Sequence, residues 1–292
     1  MKKVILVALS LAALIVAGCG GNGPDDPVPE NRRIVVHFNV QQLSLPGSSS
    51  KSETEEAENR VNRIIFYGVD KNSLVKKLLT EQNPALGGTE IPDVSQDIIS
   101  IFAIANPSAG IEVANPQNLA EMTDMVAEFA SMPSTPFIMS GIAVIMPGNV
   151  ANIELIRTIA KIEFLPSSDF VITSVTVMNT PNQGYIFGKN GAVPPTAGRI
   201  NYPQINSATP IIYVAENTVS SPTVFQVKGI FEEKEVSYDI PIEIEQVNYA
   251  IMRNTHYRIP IRAISEDTCI VDIIVLPWNV VVTDAYEPEE DF

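Results

Sequence analysis

The chain has 292 residues, a formal net charge of −15 and 45% apolar residues spread along its length. So acidic a surface repels phosphate backbones and excludes nucleic acid as a partner class, while the even apolar content marks a folded protein rather than a solvated stalk. Twenty-two prolines suit the turns and edges of an all-β protein better than long helices.

The chain opens MKKVILVALSLAALIVAGCGG. Lys2 and Lys3 form a basic start, and Val4 to Val16 an apolar run interrupted only by Ser10. The run is too short and too near the terminus for a spanning helix, so residues 1–18 read as a signal peptide. Ala17 and Gly18 put small side chains before Cys19, as a lipoprotein signal peptidase requires. Cys19 is therefore the expected lipid attachment site, on a thiol that accepts diacylglycerol. Acyl chains at about 0.8 kcal/mol per buried methylene make a durable anchor without a transmembrane helix. Residues 19–32, with GGNGPDDPVPEN after Cys19, have nothing to bury and read as a flexible tether. Cys269 is the other cysteine, so an acylated Cys19 leaves no intramolecular disulfide.

Ile34 to Val40 alternates, with Ile34, Val36, Phe38 and Val40 on one face: a half-buried strand. A polar loop, PGSSSKSETEEAEN, follows, and then VNRIIFYGV as a second strand. IISIFAIAN (98–106) is a continuous apolar run and reads as a central strand. Asn115 as N-cap and Pro116 in the first turn predict a helix over 117–130, with Leu119, Met122, Val126 and Phe129 as its core stripe and Pro133 beyond its end. MPGN (146–149) reads as a turn, and six further strand runs follow, from IELIRTIAKIEF to TCIVDIIVLPW, separated by Pro, Gly and Asn. The expected organisation is an N-terminal β-sandwich domain over 33–148 and a C-terminal one over 149–292.

No motif of catalysis or metal binding appears, so no catalytic residue, metal site or cofactor is assigned. The two histidines, His37 and His256, fall in predicted strands. GYIFGKN (184–190) has three residues between its glycines where a phosphate loop has four, and Asn190 where that loop needs Ser or Thr. It reads as a turn. SETEEAEN and EPEEDF lack the ligand spacing and bend-forming glycine of a calcium loop and read as solvated acidic segments.

Several stretches together resemble the fimbrillins of Bacteroidales, the FimA- and Mfa-like lipoprotein subunits of type V pili. They are LIRTIAKIEF (155–164), VTVMNTPNQGYIF (175–187), YVAEN (213–217), RNTHYRIPIRAI (253–264) and the strand ending LPW (276–278), with FAIAN (102–106) and TPFIMSG (135–141). The resemblance covers nearly the whole mature chain and rests on the order of these motifs. It implies an all-β fold of two transthyretin-like β-sandwich domains, the first holding the one short helix read above. It also implies a structural rather than enzymatic role, in a surface fimbrium that serves adhesion. Its expected partners are other subunits, as homo- or hetero-polymer, and the outer membrane through the precursor's lipid. Assembly by donor-strand exchange follows from the family: a trypsin-like protease cuts the loop after the first strand, the strand and lipid leave, and a strand of the next subunit fills the groove. Ile34, Val36, Phe38 and Val40 would then form the replaceable first strand.

One departure bears on this. The loop from Gln41 to Asn59 has no arginine, and Lys51 is its sole basic residue, which makes Lys51 the candidate cleavage site. Arg32 and Arg33 precede the strand, and Arg60 lies at the start of the next. Stalk, tip or accessory, and anchor positions all agree with this pattern, an anchor being a subunit left uncut. VVVT, in the tail after Trp278, could donate apolar side chains; EPEEDF could not. The rival from another class is a surface glycan-binding lipoprotein, which needs exposed aromatic platforms; Trp278, the one tryptophan, lies on a predicted core strand. A hydrolase with unrecognised carboxylates is the third alternative.

Overall fold

The computed structural model describes residues 31–41, 53–85, 87–189, 191–218, 220–242 and 249–278. Cys19, Lys51 and the tail from residue 279 lie outside the described residues.

Alternation of apolar and polar residues at period two lets a strand bury one face, and the first strand does so. In β1 (Asn31–Val40), Ile34, Val36, Phe38 and Val40 are buried. It joins β2 (Arg63–Asp70), β3 (Val75–Gln82), β4 (Thr89–Ser95), β5 (Ile98–Ala105), β7 (Met139–Val144) and β8 (Val150–Arg157) in one continuous path. The order is β3-β2-β5-β7-β8-β1-β4. β5 is the expected central strand, antiparallel to β2 on one side and β7 on the other. β7 and β8 share two residue pairs, Met139–Arg157 and Ser140–Ile156. Beyond them β8 crosses so close that a Cβ on Gly141 would sit 2.5 Å from the Glu154 carbonyl oxygen and from Ile153 Cγ2. Only glycine permits that corner. The folded path encloses one core, in which Phe38 faces Phe66 with ring centroids 5.9 Å apart.

β8 begins at Val150, where the C-terminal sandwich was expected to begin, and it pairs into this first sheet. The chain passes out of the sheet at Thr158. β9 (Ile159–Pro166) then centres a second sheet, antiparallel to β14 (Ile211–Ala215) and parallel to β19 (Thr255–Ala263). β20 (Cys269–Val271) and β21 (Ile274–Pro277) pair along the far side of β19. The facing sheet is β10 (Phe170–Met178), β16 (Val224–Phe231) and β17 (Lys234–Pro241), and Phe164 meets Phe225 between the layers at 5.4 Å. Short ladders complete the fold: β6 (Val126–Glu128) with β12 (Gln183–Tyr185), β11 (Thr180–Pro181) with β13 (Arg199–Ile200), and β15 (Asn217–Thr218) with β18 (Tyr249–Ile251). The all-β sandwich reading holds.

Its single helix does not. Three short helices stand among the described residues: α1 (Glu53–Glu58), α2 (Ala109–Val113) and α3 (Leu119–Thr123). The segment expected to be helical over 117–130 is helical only in α3, capped by Asn118 rather than Asn115. The Asn118 carboxamide accepts from the Glu121 amide, and the Glu121 carboxylate accepts from the Asn118 side chain and the Gln117 amide. Val126 and Ala127 then enter β6, because β12 offers a ladder that a further helical turn would forfeit. GYIFGKN is more than a turn: Gly184 and Tyr185 are strand, and Ile186 and Phe187 are core. Nor is the acidic stretch before β2 all solvated, since Glu58 is buried.

Candidate functional site

β1 lies between two neighbours that do not pair with each other. Residues Asn31 to Val36 run antiparallel to β4, and Val35 to Val40 run parallel to β8. Among the described residues β4 has no other ladder partner, and β8 otherwise holds its two pairs with β7 and the single bridge of Val150 to Met146. Without β1 a slot would stand open between β4 and β8. Its walls carry unpaired backbone groups, and its floor is apolar: Ile91 and Val94 from β4, Ile153 and Leu155 from β8, Ile64 and Phe66 from the opposite side. Burying four such side chains at about 1.5–3 kcal/mol each gives a gross gain on the order of 10 kcal/mol. An empty slot would be an edge-to-edge aggregation site.

Polar contacts fasten the strand at both ends. The Arg32 guanidinium donates to Asn149 Oδ1 at 3.2 Å and to the Ile98 carbonyl, and Arg33 forms an exposed ion pair with Glu90 at 3.0 Å. The His37 ring lies 2.8 Å from the Gly87 carbonyl oxygen. At the other end the Gln41 amide donates to the Leu155 carbonyl at 2.9 Å, and the Gln41 side chain accepts from Asn254.

Beside that end sits a buried polar cluster which sequence reasoning missed. The Glu58 carboxylate accepts from Lys161 Nζ at 2.8 Å, from the Tyr213 hydroxyl at 2.7 Å and from the Trp278 indole N–H at 2.8 Å. Arg157, fully buried, donates to the Glu58 carbonyl at 3.2 Å, to Asn254 Oδ1 at 2.9 Å and to Asn59, and lies 4.9 Å over the Trp278 ring. Trp278 stacks on Tyr213 and meets Phe137 edge-on. Burial pushes the Glu58 carboxyl upward, but the Lys161 ammonium and the three donors outweigh it and hold the group below its ordinary range. Burial brings Arg157 down to about 10, still a cation at neutral pH. One signal could have pointed here: Arg157 and Lys161 are two cations inside the mostly apolar run LIRTIAKIEF, and buried cations need partners.

Among the described residues no three His, Cys, Asp or Glu side chains stand together as a metal site. Trp278 is 3% exposed, so its ring offers no platform to a glycan. Cys269 is a free, half-buried thiol that burial pushes up.

The β-sandwich fold is shared with fimbrial proteins. The tip fimbrial protein Mfa3 of Porphyromonas gingivalis superposes with a TM-score of 0.61 at 13% identity, over 85% of this chain and all of that structure. A fimbrial assembly protein from Parabacteroides distasonis gives 0.56 at 12% identity, over 85% of this chain and 99% of its own. These likenesses show the fold. In sequence, the chain is 26% identical over 187 residues to the minor fimbrium tip subunit MfA4 of P. gingivalis, a match covering 56% of each chain. The chain thus spans about half the length of the curated relative it matches. No family model matches it. The resemblance to the Bacteroidales fimbrillins is common to the sequence and the structure comparisons.

Proposed function

We propose that the chain is a structural subunit of a surface fimbrium, made as a lipoprotein precursor and assembled by donor-strand exchange in the service of adhesion. The observation that carries the reading is the place of β1: a strand whose four apolar side chains fill a slot between β4 and β8, two strands it alone bridges among the described residues. An element of that kind can be exchanged for an equivalent strand without rearranging the sheets around it.

The remaining parts belong to the same proposal. Cys19 carries the lipid that holds the precursor at the outer membrane. A cut at Lys51 separates the lipid and β1 from the body. Two sandwich domains make up that body, and since β8 belongs to the first sheet and β9 to the second, we place their division at Thr158 rather than near residue 149. The partners are neighbouring subunits, as stalk, tip or accessory, or anchor.

The test is made on cells. Surface protein is sheared off and run without boiling, and the mature N-terminus is read by mass spectrometry. Denaturant-resistant ladders that contain this chain, with an N-terminus after β1, support the proposal. A monomeric lipid-linked chain that keeps residues 31–40 in cells bearing fimbriae speaks against exchange in this subunit.

A further inference from the structure

The chain leaves β1 at Gln41, and its next described residue is Glu53. Gln41 and the end of α1 are joined through one side-chain pair, Asn254 and Arg157. Asn254 donates to the Gln41 side chain, and its Oδ1 accepts from Arg157 at 2.9 Å. Arg157 in turn donates to Asn59 and to the Glu58 carbonyl.

α1 has six residues, ETEEAE, with no basic residue in its last turn. So short a helix does not persist by itself in water. Glu58 and Asn59 at its end are nonetheless buried, and Lys161, Tyr213, Trp278 and Arg157 all bind there. Those partners come from β8, β9, β14 and the residue after β21. Glu58 is also the carboxylate that answers Lys161 at 2.8 Å and the acceptor for the Trp278 N–H. Taking it away would leave a buried ammonium, a phenol and an indole N–H without their acceptor.

We propose that the Glu58–Arg157–Trp278 cluster is a clamp that keeps α1 docked on the body after the chain is cut between Gln41 and Glu53, and so sets where the separable piece ends. The clamp rests on the reading that β1 is released. It divides the chain unequally: β1 and Gln41 go, while Glu58 and Asn59 stay. A cut at exposed Arg60 would instead remove the carboxylate from the cluster. The Arg60–Asn62 stretch is guarded besides, because the Asn106 carboxamide donates to the Arg60 carbonyl at 2.8 Å and accepts from the Asn62 amide at 2.8 Å.

The test uses the full chain with a protease recognition sequence placed between Gln41 and Glu53, compared before and after cutting. Two readouts are followed: hydrogen exchange of the 53–61 peptide and emission of Trp278. In the wild type both are expected to survive the cut unchanged. In Glu58→Gln, which keeps the shape and removes the charge, exchange in 53–61 is expected to rise at least tenfold and the emission to shift to the red. Trp278→Phe, read by exchange alone, should loosen the same peptide if Glu58→Gln folds poorly. The clamp is overturned if cutting the wild type frees residues 53–61, or if both variants leave their exchange unchanged. Whether β1 then departs is read separately, from the exchange of residues 31–40. A strand that stays bound sinks the release reading and leaves the clamp measurement intact.

Discussion

Phe38→Ala is the sharpest test of how β1 is held. The ring is fully buried and tilted against Phe66 at 5.9 Å, in the middle of the stretch that pairs with β8. Truncating a buried phenylalanine costs about 3–5 kcal/mol, through lost transfer energy and the cavity left behind. That is about a third to a half of the gross apolar gain of the strand, on the order of 10 kcal/mol. Asn39, its neighbour, points to the exposed face, and Asn39→Ala should change stability by no more than about 0.5 kcal/mol. In a chain cut between Gln41 and Glu53, the loss appears mainly in the dissociation rate of the N-terminal piece. At about 1.4 kcal/mol per decade, Phe38→Ala should speed that rate by about a hundredfold or more. Asn39→Ala should leave it within about threefold. The assay is surface capture of the lipid-free N-terminal fragment, followed by dilution and timed mass analysis of what remains bound. If both variants release the fragment at the wild-type rate, burial of the alternating face is not what holds β1.

Three further outcomes follow. Arg157→Met removes a buried cation that serves Asn59, Asn254 and the Glu58 carbonyl. It should cost about 3–5 kcal/mol in urea unfolding, against about 0–1 kcal/mol for an exposed pair broken by Arg33→Met. Acid should loosen the cluster: a carboxyl depressed by folding contributes stability that is present above its ordinary value of 4.5 and lost as pH falls through the folded value below that. Trp278 emission should therefore hold steady down to that point and shift below it, and Glu58→Gln should remove that step; a midpoint near neutrality would contradict the assignment. Cys19→Ser should abolish labelling by a fatty-acid analogue and leave an unprocessed precursor, and a normally labelled, processed mutant would refute the lipid site.

What could be read in the sequence was whatever depends on near neighbours. Ile34 to Val40 announces a one-faced strand because its period of two is unbroken and four of its residues are large and apolar. Its setting was hidden, since pairing with β8 joins residues more than a hundred positions apart and nothing local encodes it. The helix over 117–130 was drawn too long for the opposite reason. Leu119, Met122, Val126 and Phe129 do recur at helical spacing, but a remote ladder with β12 claims the second half. Its start was nonetheless written locally, as Asn118 followed three residues later by Glu121, the pattern of a reciprocal cap. The polar cluster needed five distant stretches at once. Arg157, Lys161, Tyr213, Asn254 and Trp278 all lie within the motifs that carry the fimbrillin resemblance, yet each alone passes for a strand residue. Glu58, in a run of glutamates, gave no sign that it turns inward where Glu55 and Glu56 do not.

If β1 is exchangeable, its slot takes an equivalent strand. The direct measurement is uptake of a labelled IVVHFNV peptide, residues 34–40, by the chain cut between Gln41 and Glu53, with a same-composition scrambled peptide as control. The account predicts that the native fragment leaves, that one labelled peptide binds per chain, and that without peptide the cut protein forms oligomers. A cut protein that stays monomeric, keeps its own strand and takes up no peptide while the rest remains folded would contradict it.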